Sequence, residues 1–257
     1  MIPILLIEDL NVTFDSIKAV DSVNLTLFHR QTYGLIGPNA AGKTTILNSI
    51  SGLVKPQRGR ISFKGVDLLG LSPWRIAQYG VGRTFQIPRV FGPMTVMDNL
   101  LLSFKGQFGE SAFRSVTNRR AMMRRDEQLM NRAAQLLNDI GLTGKQSTLA
   151  ADLSWGQQKL LSFARLLAMD ADLLLLDEPT AGISVRELNQ LVKMIGWTVA
   201  QNKTVVIVEH NWDVLSEVAD WIWFADCGRI ASQGTPSDIS KDHSFRTSYM
   251  GPNRAIG

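Results

Sequence analysis

Cysteine is nearly missing from this chain: Cys227 is the only one in 257 residues, so no internal disulfide can form and a reducing compartment is permitted. One thiol cannot make a zinc site alone, and any metal would have to be bound through oxygen. No stretch approaches the ~20 consecutive apolar residues needed to span a bilayer, so the chain is expected to be soluble or held at a membrane by a partner. The opening residues Met1 to Asp9 lack a basic leader and carry too short an apolar run for a signal peptide; they read as a first strand. Charge of one sign is also scarce, with 27 basic against 23 acidic residues and a net +4, which gives no argument for nucleic acid without a basic stripe. The densest basic stretch, from Asn118 to Arg125, is followed at once by Asp126 and Glu127, and its arginines spread around a helix as a solvated surface would. There is no internal repeat and no low-complexity segment, so any site that the sequence encodes is expected once per chain.

What is present is a large apolar fraction, 45% of residues. At this length the fold should bury about 70–75% of the unfolded surface, enough for one large domain or two coupled subdomains. Short aliphatic runs at Thr32–Ile36, Leu173–Leu176 and Val205–Val208 predict buried central strands of an α/β sheet. Between them the pattern turns helical. From about Asn118 to Ile140 the spacing puts Leu129, Met130, Ala133, Leu136, Leu137 and Ile140 on one helical face, with Gly141 as the stop. Thr95 with Asp98 and Ser184 with Glu187 mark helix starts, and Ser72-Pro73 marks a weaker one.

The strand ending at Ile36 runs into Gly37-Pro38-Asn39-Ala40-Ala41-Gly42-Lys43-Thr44-Thr45, a phosphate-binding loop in both spacing and context. Glycines let several backbone N–H groups face one phosphate chain, and the following helix adds the positive end of its dipole. Lys43 is expected to reach the β- and γ-phosphates of a nucleotide, and the Thr44 hydroxyl to ligate Mg²⁺. Further on, Leu173-Leu174-Leu175-Leu176-Asp177-Glu178 delivers two acids at a strand end, where open α/β sheets bind ligands. Asp177 is expected to hold the Mg²⁺ hydration shell and Glu178 to polarise the attacking water.

Leu153-Ser154-Trp155-Gly156-Gln157-Gln158-Lys159, just before the acidic strand, narrows the choice among nucleotide hydrolases. Here the chain resembles the ABC ATPases, whose signature is usually Leu-Ser-Gly-Gly-Gln. That resemblance implies that Ser154, Gly156 and Gln157 face the γ-phosphate of ATP held by the opposite subunit, and that Trp155, in place of a glycine, bears on how closely the subunits approach. It further implies that Gln86 meets the Mg²⁺ and water region, that His210 contacts the γ-phosphate, and that Phe14 stacks on adenine; core packing is the other reading for Phe14. Ala181-Gly182-Ile183-Ser184 takes the place of a loop that crosses to the other subunit, although Ser184 serves equally as a helix cap for Glu187.

The fold implied is α/β: a P-loop NTPase with an ABC-type ATPase core, an antiparallel β subdomain and an inserted α-helical subdomain. Residues 1–86 and 154–240 would form the nucleotide-binding core, about 87–153 the helical subdomain and 241–257 a C-terminal extension. Arg83-Thr84-Phe85-Gln86, the run from Phe91 to Leu100 and Thr180-Ala181-Gly182-Ile183 look like the branched-chain amino-acid group of importers, which includes urea and amide systems. Such a subunit binds ATP and Mg²⁺ and pairs with a second ABC ATPase, the same or a sister chain. It drives transmembrane permease subunits at the cytoplasmic face of the plasma membrane and serves a solute-binding protein indirectly. Ile87, Val90, Phe91, Met94 and Val96 are candidates to line an apolar groove for a permease helix, ordinary subdomain packing being the alternative. An exporter or lipopolysaccharide-extraction motor, and a non-transport ABC ATPase, are the competing readings.

Overall fold

The computed structural model describes residues 2–104 and 119–250. Asn118 of the basic stretch and residues 251–257 of the expected extension lie outside the described residues. The chain divides into two compact units, one of Met1–Arg83, Asp172–Pro179 and Ile195–Gly257, the other of Thr84–Ala171 and Thr180–Met194.

The first unit holds two sheets. Strands β1 (Leu5–Phe14), β2 (Ile17–Leu27), β4 (Arg58–Phe63) and β5 (Val66–Asp67) form an antiparallel sheet in the order β2-β1-β4-β5. Along β2 the residues Val23, Leu25 and Leu27 are buried while Ser22, Asn24 and Thr26 are exposed, the alternation of a sheet with one covered face. The second sheet has six strands in the order β10-β9-β3-β8-β7-β6. Its members are β3 (Thr32–Ile36), β6 (Val81–Arg83), β7 (Leu173–Asp177), β8 (Thr204–Val208), β9 (Trp221–Asp226) and β10 (Arg229–Gly234). All its pairings are parallel except β9 with β10. Every residue of β3, β7 and β8 is buried, as in strands covered on both faces, and the three predicted runs agree with these strands to within one residue at either end. One apolar cluster, including Leu10, Phe63, Leu35, Leu47 and Val206, joins both sheets.

Parallel pairing brings the carboxyl ends of β3, β7 and β8 to the same edge, with Leu35 opposite Val208 and Asp177 opposite Val208. The chain leaves β3 into the glycine-rich loop and α1 (Lys43–Ile50), leaves β7 into Glu178, and leaves β8 into Glu209 and His210. Helices α2 (Pro73–Tyr79), α7 (Trp212–Val218) and α8 (Pro236–Lys241) also belong to this unit. Ser72 stands before α2 in extended conformation with Pro73 in the first turn, as expected, though no side-chain bond caps it.

The second unit contains α3 (Val96–Leu101), α4 (Arg119–Asp139) and α5 (Trp155–Ala168), and takes in the first part of α6 (Val185–Ala200). Within it, α5 turns an apolar face of Leu160, Phe163 and Leu167 inward and packs against α3 and α4. The long helix matches its predicted span, and Gly141 follows it at φ 70°. Its apolar stripe is shorter than predicted: Ala133, Leu136, Leu137 and Ile140 are buried, but Met130 is exposed. No described side chain of α4 before Ala133 is buried, so among the described residues the stripe begins at Ala133. Thr95 caps α3, its hydroxyl accepting from Asp98 N at 3.1 Å, as predicted.

Candidate active site

The loop after β3 is built around two glycines that nothing larger can replace. A Cβ on Gly37 would lie 2.0 Å from the carbonyl oxygen of Ala225, and one on Gly42, at φ 91°, would lie 2.3 Å from that of Ala19. Asn39 and Ala40 form the exposed tip. Pro38, Ala41 and Thr45 complete the loop and the first turn of α1, and Ala41 N donates to Pro38 O at 3.3 Å.

Lys43 is only 5% exposed. Its ammonium folds back on the loop, donating to the carbonyls of Gly37 at 2.7 Å and Pro38 at 2.8 Å. Burial pulls its pKa down, against the opposing pull of Glu178 and Asp177. Thr44 Oγ1 donates to Asp177 Oδ1 at 3.4 Å, so a hydroxyl on α1 and a carboxylate on β7 meet at the sheet edge.

Asp177 is buried, and its charge is balanced by a residue with no role in the sequence reading. Arg83, at the end of β6, places Nη2 2.9 Å from Asp177 Oδ2, and its Nη1 donates to Ser51 Oγ at 2.8 Å. The arginine was visible in the sequence beside Gln86. What was not visible is that β6 pairs with β7, a contact between segments about ninety residues apart that periodicity cannot supply.

Glu178 adopts a left-handed backbone, φ 47°, unusual for a residue with a side chain and held by its N–H bonding to Val208 O at 2.9 Å. This turn directs its carboxylate toward His210, whose Nε2 lies 2.8 Å from Glu178 Oε1. The first unit thus brings together Lys43, Thr44, Asp177, Glu178 and His210 from three strand ends. Phe14 is the last residue of β1, paired with Ile17 and 47% exposed, which removes the core-packing reading for it.

Gln86 and the signature belong to the second unit, where Gln86 is exposed. Ser154 caps α5 in a reciprocal box: its hydroxyl accepts from Gln157 N, and its own N–H donates to Gln157 Oε1, each at 3.2 Å. The same hydroxyl donates to Glu187 Oε1 at 3.0 Å. Glu187 Oε2 in turn accepts from the N–H and the hydroxyl of Ser184, both at 2.8 Å, so the predicted cap at Ser184 is present and reaches across to the signature. A Cβ on Gly156 would fall 2.1 Å from Glu187 Oε2. Trp155 is 45% exposed and its ring lies over Gly182. Of the candidate groove residues, Ile87 and Phe91 are exposed, but Val96 is fully buried at the start of α3 and cannot line a groove.

A family profile described as ABC transporter matches residues 20–181 of the 257. LivG of Salmonella typhimurium, a high-affinity branched-chain amino acid transport ATP-binding protein, is 34% identical over 250 residues, covering 97% of this chain and 98% of its own. The solved ADP conformation of MJ1267, an ATP-binding cassette of an ABC transporter, aligns at TM-score 0.82 and 27% identity over 98% of this chain and all of that one. The dimeric MJ0796 cassette bound to ADP and Pi, at 22% identity and TM-score 0.76 over 90% of this chain and 98% of its own, shares the fold. No described helix is long and apolar enough to cross a membrane. Because the family profile covers more than half of the chain and LivG is 34% identical over almost the whole of it, the chain belongs to the ABC transporter family.

Proposed function

We propose that this chain is the motor subunit of an importer for branched-chain amino acids or related small polar solutes, hydrolysing ATP at the ends of β3, β7 and β8. The observation that carries the reading is the convergence there of a desolvated ammonium, a hydroxyl beside a carboxylate, and a carboxylate bonded to an imidazole. The name of LivG, a branched-chain amino acid transport protein, supports the solute class.

Each group has a task that its surroundings suit. Lys43 would exchange its two carbonyl partners for phosphate oxygens, which compete well for a cation already stripped of water. Thr44 and Asp177 fit a hard cation, because a hydroxyl and a carboxylate 3.4 Å apart are the oxygen donors that Mg²⁺ takes beside phosphate and water. Bound there, Mg²⁺ would offset the negative charge of the phosphates; Gln86 is the further candidate ligand. Glu178 orients and deprotonates a water, and His210, hydrogen-bonded to it, holds that carboxylate and contacts the γ-phosphate. Phe14, exposed at the end of β1, offers a ring face to adenine.

Ser154, Gly156 and Gln157 present a helix N-terminus suited to an anion, and a second ABC ATPase subunit, the same or a sister chain, would supply it. The dimeric MJ0796 cassette supports that pairing. Permease subunits would hold the chain at the cytoplasmic face of the membrane, with exposed Ile87 and Phe91 as contacts, and a solute-binding protein would act through them.

The test is turnover and dimerisation of the wild type and of Glu178→Gln with MgATP. The variant should lose on the order of 10²–10⁴ in kcat while still binding ATP and accumulating as a dimer. Equal turnover in the two would overturn the assignment.

A further inference from the structure

His210 is held from two sides, and only one of them belongs to the acid pair already described. On the other side, the backbone carbonyl of His210 accepts a hydrogen bond from Tyr249 Oη at 2.6 Å. Tyr249 lies in the segment Arg246–Met250, thirty-nine residues further along the chain and after the last strand. We propose that Tyr249 is a positioning residue for ATP hydrolysis, setting the backbone of His210 so that its imidazole stays on Glu178. The inference rests on the reading of His210 and Glu178 given above.

Tyr249 can do this because its ring is fixed by aromatic neighbours. It stacks on Phe245 with centroids 5.4 Å apart and planes at 21°, and meets the edge of Phe224 at 6.2 Å. Phe245 is fully buried, packs edge-on against Phe224 at 5.3 Å and meets Trp212 at 4.8 Å with the planes tilted by 45°. Phe224 belongs to β9, so the cluster is anchored in the central sheet. Trp212 opens α7 only two residues after His210, and Asn211 between them caps that helix by accepting from Asp213 N at 3.0 Å. Trp212, two residues after the histidine, and the histidine's own carbonyl are therefore tied to the neighbouring rings of Phe245 and Tyr249. A β8-to-α7 connection of three residues, Glu209 to Asn211, has few torsions, and a carbonyl bond at its middle residue constrains the direction of the imidazole. Misplacement by about 1 Å at such a group costs up to about a hundredfold in rate, so the hydroxyl acts on turnover without touching nucleotide.

Tyr249→Phe removes one oxygen and keeps the stacked ring. In the complex with its membrane subunits, the variant should lower kcat about three- to tenfold, the range of one hydrogen bond, with nucleotide affinity unchanged. In the isolated chain, which has only three histidines, the His210 imidazole signal in ¹⁵N spectra, assigned by its loss in His210→Ala, should shift or broaden while the unfolding midpoint stays put. In a His210→Ala background Tyr249→Phe should have no further effect on turnover. An unmoved imidazole signal, an unchanged kcat, an equal loss in the two backgrounds, or a parallel fall of affinity and stability would each overturn the proposal. If His210→Ala itself leaves turnover intact, the reading of the histidine fails first, and the proposal fails with it.

Discussion

The Ser154 hydroxyl donates to the Glu187 carboxylate at 3.0 Å, so the signature helix is tied at its N-cap to the first turn of α6. The carboxylate lies over the helix N-terminus, where the backbone dipole favours negative charge. Gly156 is what leaves it room, since a Cβ there would come within 2.1–2.6 Å of three carboxyl atoms of Glu187. Gly156→Ala should therefore expel the carboxylate from its bonds to Ser154 and Ser184 and destabilise the chain by about 1–3 kcal/mol. In a Glu187→Ala background the same change should cost less, because nothing remains to expel. Urea unfolding of the four proteins measures the coupling, and equal costs in both backgrounds would refute it.

Glu187 also carries a pH signature. Burial raises its pKa, but the bonds from Ser184 and Ser154 and the nearby Arg186 outweigh that, so the net displacement is below the ordinary 4.5. A depressed carboxyl pKa adds stability that is complete above the unfolded value and is lost as the pH falls through the folded one. Glu187→Gln should thus show no change in the slope of stability against pH between about 6 and 8, and a shallower loss than the wild type below about 4.5. Denaturant midpoints at a series of pH values would check this; identical acid limbs would show that the bonds do not stabilise the ionised form.

Much of this was readable in the residues because it is local. The phosphate loop, the strand ends at Asp177 and Val208 and the caps at Thr95 and Ser184 depend on residues a few positions apart, where spacing determines geometry. Three things escaped. The Arg83–Asp177 pair and the Tyr249–His210 bond join segments remote in sequence, and no pattern along one strand predicts which strand or tail lies beside it. The extent of the α4 stripe depends on tertiary packing and not on spacing alone: Met130 has the periodicity of a core residue and is exposed. Val96 failed in the opposite sense, being taken for a groove residue when its place at the first turn of α3 buries it.

The Arg83–Asp177 pair should matter before any nucleotide is present. Both side chains are about 6% exposed, so removing the arginine leaves a carboxylate buried without its cation. Arg83→Met should cost about 3–5 kcal/mol of stability, while Arg83→Met with Asp177→Asn should recover much of it, because the stranded charge is gone. Chemical denaturation without and with MgATP is the measurement. If Asp177 ligates Mg²⁺, MgATP should also stabilise the single variant more than the wild type, since the bound cation replaces the missing one.

Lys43 separates binding from chemistry. Its ammonium is already desolvated and rests on the Gly37 and Pro38 carbonyls, so transfer to phosphate oxygens exchanges neutral acceptors for charged ones. The gain is that of a charge-assisted over a neutral hydrogen bond, and Lys43→Met should weaken ATP binding on the order of 10–100-fold. Adenosine, which lacks phosphate, should bind both proteins alike if, as proposed, its contacts fall to groups such as Phe14. Titration with a fluorescent ATP analogue and competition by adenosine would distinguish the cases: parallel weakening of both ligands would mean that the loop had collapsed rather than lost a phosphate contact.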